Sequence, residues 1–292
     1  MPRIGFVGLG SMGGSMVQAL STAGHTPVVF DLDTAKVAEA VDLGAVAAAT
    51  LGEVASQCDI VGVCVATDAQ VRSVLEGELL DGLRPGAVIT LHSTVLPETV
   101  TWAADTAASR EVGFVEAPVT GGPAAAAEGR LTFLLSGAAE DIAAADVLFE
   151  ACATARVDAG PVGKANLLKL CVNLQTFVTH LAIAEAASLA RTFDVSLAGL
   201  KAAMDANGQL GELSAGYFSL QELPDELLDD PGLVAMREPL VAVIAKDIGH
   251  MQSMAASVGA EVPAVDVAAG QLTETYRMPG RRGSSPPAAT PG

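Results

Sequence analysis

Short apolar runs alternate with helical segments along the first half of the chain. The runs have the length and composition of β-strands, and they lie at residues 3–7, 26–31, 60–65, 87–91, 113–117 and 131–136. Helical segments, such as 33–42 and 97–109, separate many of these runs. Strands that alternate with helices predict a parallel sheet covered on both faces, which is the doubly wound α/β architecture.

The pattern changes near Gly160. Residues 164–193 contain neither Gly nor Pro, and their apolar side chains recur at helical spacing. At about 1.5 Å per residue this helix spans over ~40 Å, which suits an element that joins two domains. A helix at 198–206, a loop region with Gly and Pro at 208–232 and further helices follow, and we predict no strand there.

These patterns divide the chain into three parts. We predict an α/β domain over residues 1–162, an all-helical domain for substrate binding and dimerisation over 163–280, and a disordered tail over 281–292. Half of the 292 residues are hydrophobic, so a sizeable core can form. The net charge is −18, from 16 basic and 34 acidic residues. Nucleic acid is therefore an improbable partner, since its phosphates are bound by clustered cations.

The four cysteines, Cys58, Cys64, Cys152 and Cys171, form no Cys-x-x-Cys pair, and each lies in an apolar stretch. We expect them to be reduced core thiols of a cytoplasmic protein, with neither a disulfide nor a metal site. The N-terminus runs directly into a strand, so we expect no signal peptide. Because no uncharged apolar run approaches the ~20 residues of a membrane span, we expect no membrane association.

A glycine turn follows the first predicted strand and opens the first helix, with the sequence Gly8-Leu9-Gly10-Ser11-Met12-Gly13. In this context Gly8 makes the tight turn, Gly10 lets a pyrophosphate approach the backbone, and Gly13 allows close packing of helix on strand. The helix N-terminus supplies N–H groups and a positive dipole end to the phosphates. The turn therefore predicts a dinucleotide site.

Asp31 ends the second predicted strand, 18 residues after Gly13. An acidic side chain here accepts hydrogen bonds from the adenosine ribose hydroxyls and would repel a 2′-phosphate. We therefore expect NAD, with NADP less favoured. The alternative is a purely structural turn in which Asp31 caps the next helix, but Asp33 is better placed as that cap.

Five short segments, in order, resemble the 3-hydroxyisobutyrate dehydrogenase-like β-hydroxyacid dehydrogenases. They are the cofactor signature Gly5 to Gly13, the substrate element Leu91 to Pro97, the loop Ala117 to Pro123, the start of the catalytic helix at Gly160 to Asn173, and Lys246-Asp247-Ile248. The resemblance covers about residues 3–276. The resemblance implies a Rossmann domain followed by a helical domain, and a homodimer or homotetramer.

The resemblance also assigns roles to residues. Lys169 would be the general acid/base, and Asn173, four residues later on the same helix face, would orient the substrate hydroxyl or Lys169 itself. An ordinary lysine has a pKa of ~10.4, which burial or a nearby cation such as Lys246 could lower. The remaining roles are cofactor binding by Lys246, carboxylate binding by Ser93, Gly121 and Gly122, and a structural or carboxylate-binding role for Thr94.

Three departures separate this chain from the family pattern. His92 stands where the family has Asp, and we leave it outside the catalytic set. The segment Gly163-Lys164-Ala165-Asn166 lacks a further Gly and the Gln that is frequent there. Residues 207–238 match poorly, so the part of the site that would recognise the distal end of the substrate is undetermined.

The sequence therefore predicts an NAD-dependent dehydrogenase of a small 3-hydroxy acid or the matching aldehyde acid. An imine reductase of the same build is a first alternative, although those enzymes replace the catalytic lysine. A non-catalytic dehydrogenase-like module is a second, although such relatives lack the lysine and carry other domains. A 6-phosphogluconate dehydrogenase is disfavoured, because its helical domain is longer and its second strand leads to a 2′-phosphate site.

Overall fold

The computed structural model describes residues 2–279 and consists of two compact units, Met1–Cys171 and Val172–Gly292. The division falls inside the long helix, whereas the predicted boundary at residues 162/163 assigns the whole helix to the second domain. The predicted tail, 281–292, lies outside the described residues.

The first unit is built on a nine-stranded sheet with the order β3-β2-β1-β4-β5-β6-β8-β7, in which β9 also pairs with β8. Its strands are β1 Ile4–Val7, β2 Val28–Phe30, β3 Val46–Ala47, β4 Ile60–Val63, β5 Val88–Leu91, β6 Gly113–Glu116, β7 Val119–Thr120, β8 Leu131–Gly137 and β9 Ala153–Gly160. All six predicted strands are present. The sheet is not wholly parallel as predicted, because β8 runs antiparallel to β6 and β7.

Nine helices belong wholly to the described part of the first unit. They are α1 Ser11–Thr22, α2 Thr34–Asp42, α3 Leu51–Gln57, α4 Asp68–Leu75, α5 Glu78–Gly82, α6 Pro97–Ala108, α7 Gly122–Ala127, α8 Ala139–Ala144 and α9 Asp146–Cys152. Successive strand residues point to opposite faces, so Phe6 and Val7 enter two separate cores. The sheet is therefore covered on both faces, which confirms the doubly wound prediction.

Helices make up the second unit, and its described residues contain no strand, as predicted. They are α10 Lys164–Thr192, which begins in the first unit, α11 Leu197–Ala206, α12 Glu212–Glu222, a 3-10 turn Asp225–Leu227, α13 Pro231–Ser257, α14 Pro263–Gly270 and α15 Leu272–Thr275. Helix α12 lies where the sequence predicted a loop, so that prediction is wrong. Tertiary packing explains the helix: Tyr217 and Phe218 are buried, and the Tyr217 hydroxyl donates to the Thr275 carbonyl.

Helix α10 is, within the described chain, the one helix whose length and composition would suit a membrane span, and 22% of its most apolar 18 residues are buried. The sequence prediction of no membrane span considered only uncharged apolar runs, and α10 contains charged residues, so the prediction did not consider this helix. Polar side chains of α10 nevertheless bind protein groups: Asn173 donates to Asp247, and His180 shares a hydrogen bond with Tyr276. We therefore interpret α10 as the helix that joins the two units.

The cysteines differ in their exposure. Cys58 and Cys152 are buried, and burial raises the pKa of their thiols to about 11 and about 12, respectively. Cys64 is half-buried. Cys171 is exposed on α10, so the prediction of a core position is wrong for this residue. Its apolar neighbours in sequence occupy other faces of the helix, because i and i+1 side chains diverge there.

Candidate active site

The glycine turn and Asp31 lie together at the carboxyl ends of β1 and β2. One Asp31 carboxylate oxygen accepts from the Leu9 N–H at 2.6 Å, and the other accepts from the Asp33 N–H at 2.8 Å. Asp33 itself caps α2 by accepting from the Ala35 N–H, as predicted. Asp31 is thus engaged with the backbone of the turn, and each of its oxygens keeps a second lone pair for a ribose hydroxyl.

The turn has the shape that a pyrophosphate needs. A Cβ on Gly13 would lie 2.0 Å from the Gly8 carbonyl oxygen, so only glycine permits the close crossing of α1 over the turn. A Cβ on Gly10 would meet nothing within 4 Å, so its bare backbone faces open space. Helix α1 begins at Ser11, and Met12 packs against the core. The N–H groups at the start of α1 therefore fit a dinucleotide phosphate.

Ser93 is buried just beyond the carboxyl end of β5, at the edge of the sheet where ligands of this fold bind. Its Oγ accepts from the Val65 N–H at 2.9 Å, after the end of β4. The hydroxyl hydrogen of Ser93 is then the group that can donate to a carboxylate. Thr94 beside it is half-buried.

Gly121 and Gly122 lie between β7 and α7. Gly121 has a φ of 132°, a conformation that other residues rarely adopt, and Gly122 has a φ of 79°. Gly121 is exposed and Gly122 is half-exposed, so their backbone is accessible within the first unit. The backbone of these two residues is therefore not covered by side chains of their own.

His92 is buried beside Ser93 and is part of the core. Its Nδ1 lies 2.9 Å from the Ala117 carbonyl oxygen, which can only accept, so Nδ1 carries the proton and Nε2 accepts from the Thr90 hydroxyl at 2.9 Å. The ring stacks on Phe6 with 5.8 Å between centroids. Burial lowers the pKa of His92 to about 4, so the ring is neutral near pH 7. These contacts give His92 a structural role.

Glu116 is a completely buried acidic residue at the end of β6 that the sequence analysis overlooked. Its carboxylate oxygens accept from the N–H groups of Gly163, Ala165 and Asn166 at 2.7, 3.3 and 2.6 Å, and from the Asn166 side-chain amide at 3.0 Å. The Asn166 side-chain oxygen in turn accepts from the Val95 N–H at 3.0 Å. One signal was available: an acidic residue closes an otherwise apolar strand.

Lys169 is half-buried on α10, and Asn173 lies one turn further along the same helix. In the second unit the Asn173 amide donates to Asp247 Oδ2 at 2.8 Å, and Lys246 Nζ lies 3.1 Å from Asp247 Oδ1. Asp247 is buried, and the sequence predicted no role for it, although it belongs to the segment Lys246-Asp247-Ile248. Because a carboxylate only accepts, it fixes the Asn173 amide with its NH₂ toward Asp247.

The structure therefore brings several predicted residues together within each unit. The turn and Asp31 are in contact in the first unit, and Asn173 and Lys246 meet through Asp247 in the second. In the described residues no cluster of His, Cys, Asp or Glu is arranged to hold a metal ion.

Comparison with known proteins agrees with this arrangement. Residues 3–163 match the family model for the NAD-binding domain of 6-phosphogluconate dehydrogenase. An uncharacterized oxidoreductase of Mycobacterium tuberculosis is 33% identical over 95% of this chain and 94% of its own length. NAD-dependent L-serine dehydrogenase of Pseudomonas aeruginosa is 35% identical over 65% and 64%. The structure of Mycobacterium tuberculosis 3-hydroxyisobutyrate dehydrogenase with L-serine has a TM-score of 0.77 at 25% identity, covering 95% and 94%.

Two proteins with other descriptions are also similar to this chain. An imine reductase from Pseudomonas sp. shares the fold, with a TM-score of 0.61 at 20% identity over 95% of this chain and 95% of the reductase. The human cytokine-like nuclear factor N-PAC is 30% identical over 94% of this chain, which spans 51% of that protein.

The glycine turn gives a first prediction. Gly10→Ala should lower the unfolding free energy by about 1 kcal/mol or less, because alanine is a poorer helix N-cap than glycine but its methyl group meets no neighbour. It should weaken NADH binding at least about tenfold, or ~1.4 kcal/mol, since its methyl group occupies the approach of the pyrophosphate. Gly13→Ala should lower both stability and affinity. Fluorescence titration with NADH and thermal unfolding measure the two effects; equal NADH affinity in all three proteins would contradict the site.

The buried His92 gives a second prediction. The pKa of His92 is about 4 in the folded protein, whereas an ordinary histidine has a pKa of 6.5, so below pH 6.5 the unfolded chain binds a proton that the folded protein does not bind. The unfolding free energy should fall as the pH drops from about 6.5 to about 4, by at most ~1.4 kcal/mol per pH unit for this residue. In His92→Gln this contribution should vanish, while the control Thr90→Val should keep it. Urea unfolding at stepped pH values measures the slope, and an unchanged slope in His92→Gln would refute the assignment.

Proposed function

The chain belongs to the 3-hydroxyisobutyrate dehydrogenase-like family of NAD-dependent β-hydroxyacid dehydrogenases, and we propose that it oxidises a small 3-hydroxy acid with Lys169 as general acid/base. One observation carries the proposal. Helix α10 presents Lys169 and Asn173 one turn apart, and the buried Asp247 holds the Asn173 amide in a single orientation.

We assign each step of the reaction to particular residues. Bound at the glycine turn and Asp31, a nicotinamide cofactor would supply the acceptor for the hydride of the carbinol carbon. Lys169 takes the hydroxyl proton during oxidation and returns it in the reverse direction. Asn173, oriented by Asp247, directs the hydroxyl or the lysine amine. Holding the hydroxyl and the lysine amine in a reactive geometry raises the rate of the chemical step, so a small displacement of either group lowers kcat.

The substrate carboxylate is assigned to the segments beyond β5 and β7. The Ser93 hydroxyl, whose oxygen already accepts from Val65, donates to the carboxylate. The bare backbone of Gly121 and Gly122 supplies N–H donors, and Thr94 supports the same segment. These neutral donors matter in a protein with a net charge of −18, because the overall field opposes the entry of an anion.

We also propose NAD over NADP as the preferred dinucleotide. The Asp31 carboxylate lies beside the Leu9 backbone of the turn, where a 2′-phosphate would meet its negative charge. The next residue, Leu32, is exposed and apolar and offers a phosphate no charge.

A homodimer or homotetramer and a cytoplasmic location complete the proposal. Large apolar side chains are exposed in the second unit, among them Leu189, Phe193 and Met236. Exposed apolar side chains are what a second subunit would bury. Light scattering during size-exclusion chromatography tests the assembly.

The function is tested by following NADH formation over a panel of small acids: 3-hydroxyisobutyrate, 3-hydroxypropionate, glycerate, 4-hydroxybutyrate, threonate and serine. We expect turnover with at least one 3-hydroxy acid, and a much higher kcat/KM with NAD than with NADP. Preference for NADP would overturn the role of Asp31. Reduction of cyclic imines without oxidation of any acid would favour an imine reductase. Tight NADH binding with no turnover would favour a non-catalytic module.

The role of Lys169 gives a third prediction. Lys169→Ala should lower kcat at least about 100-fold, the lower end of the range for general acid–base catalysis. The Kd for NADH should stay the same. Lys164→Ala is the matched control, because Lys164 is exposed in the first turn of the same helix and should keep wild-type turnover. Stopped-flow absorbance at saturating substrate measures both variants, and equal kcat values would exclude the mechanism.

A further inference from the structure

We propose that Glu116 and Asn166 are a positioning pair that holds the start of α10 against the substrate segment Ser93–Val95, and thereby sets the position of Lys169. The inference rests on the proposed function for its catalytic consequence, but the coupling itself concerns only contacts within the first unit. Neither residue has a role in the predicted site.

The buried start of α10 needs hydrogen-bond acceptors, and Glu116 supplies them. The first N–H groups of a helix have no partner within the helix, and a buried helix start must find acceptors elsewhere. Gly163 and Ala165 donate to one Glu116 oxygen, and the Asn166 backbone N–H donates to the other. A side chain 47 residues earlier in the chain therefore caps the helix, and the negative charge also suits its positive dipole end.

Asn166 extends this contact to a third segment. It is completely buried, its NH₂ donates to Glu116, and its oxygen accepts from the Val95 N–H. The two bonds use opposite ends of the amide, so rotating the amide would break both. Val95 lies two residues after Ser93, and Asn166 lies one helical turn before Lys169.

Three candidate segments consequently meet at one buried pair. Glu116 immediately precedes the segment Ala117 to Gly122, Val95 follows Ser93, and Asn166 precedes Lys169. These buried hydrogen bonds depend on one another, because breaking one leaves a buried polar group unsatisfied. A displacement of one member therefore displaces the others. A cap alone would need only Glu116, whereas the bond from Val95 to Asn166 joins the helix to the substrate segment.

Hydrogen–deuterium exchange tests this coupling without any activity. In Glu116→Gln one carboxylate oxygen becomes an NH₂ group that faces N–H donors, so the capping bonds cannot all form. We expect the Val95 amide to exchange at least about tenfold faster, although it makes no hydrogen bond to Glu116, because Asn166 loses its orientation. The amides of Gly163 and Asn166 should exchange faster too. Unchanged exchange at Val95 would overturn the proposal.

Asp68→Ala is the matched control, because Asp68 accepts from the neighbouring Leu96 N–H at 2.9 Å and belongs to α4. It should speed exchange at Leu96 and leave Gly163 and Asn166 protected. Faster exchange at all of these amides in the control would mean that the region simply opens as one unit. That result would also contradict a specific role for the pair.

The kinetic consequence is measured in the full chain with the milder variant Asn166→Ala. We expect kcat to fall at least about tenfold, because small displacements of a catalytic group are costly, while the Kd for NADH stays within about twofold. Leu148→Ala, a core change in the same unit, should destabilise the protein and keep kcat per NADH-binding site. Equal kcat losses in the two variants would make the role of Asn166 merely structural. If the wild-type protein oxidises no acid, the proposed function fails and the exchange experiment still decides the coupling.

Discussion

Helix α10 starts inside the first unit, and the N–H groups of its buried first turn need acceptors from elsewhere in the protein. The completely buried carboxylate of Glu116 meets this requirement, and the amide of Asn166 passes the constraint on to Val95. A buried polar group without partners costs about 1–3 kcal/mol, so such a network is stable only when it is complete. The position of the helix that carries Lys169 depends on this set of contacts.

Carboxylates also accept hydrogen bonds at two other groups of predicted site residues. Asp31 accepts from the backbone of the glycine turn, and Asp247 accepts from Asn173 while pairing with Lys246. In each case a carboxylate uses its acceptor-only chemistry to orient a group that the proposed reaction needs. Acidic residues outnumber basic ones two to one, and some of that excess serves this purpose.

Much of the fold could be predicted because the spacing of apolar residues along the chain indicates which faces of the strands and helices are buried. The six strands, the long helix and the Asp33 cap are local patterns, and each agrees with the structure. Predictions failed where tertiary contacts outweigh local sequence. Helix α12 lies between residues typical of loops and is held by the packing of Tyr217 and Phe218, and β9 forms its strand by pairing with β8. The exposed Cys171 shows that apolar neighbours in sequence do not define a helix face.

The sequence by itself determined the architecture, the dinucleotide turn, the resemblance to the family and the candidates Lys169, Asn173 and Ser93. The architecture and the turn depend on spacing along the chain, which a single sequence displays directly, whereas the three candidate residues are implied by the resemblance to the family. Only the tertiary structure revealed which carboxylates orient them. Glu116 lies 50 residues from Asn166, and Asp247 lies 74 residues from Asn173. Hydrogen bonds over such separations leave no periodic pattern in the sequence, because they arise only when folding brings distant elements together.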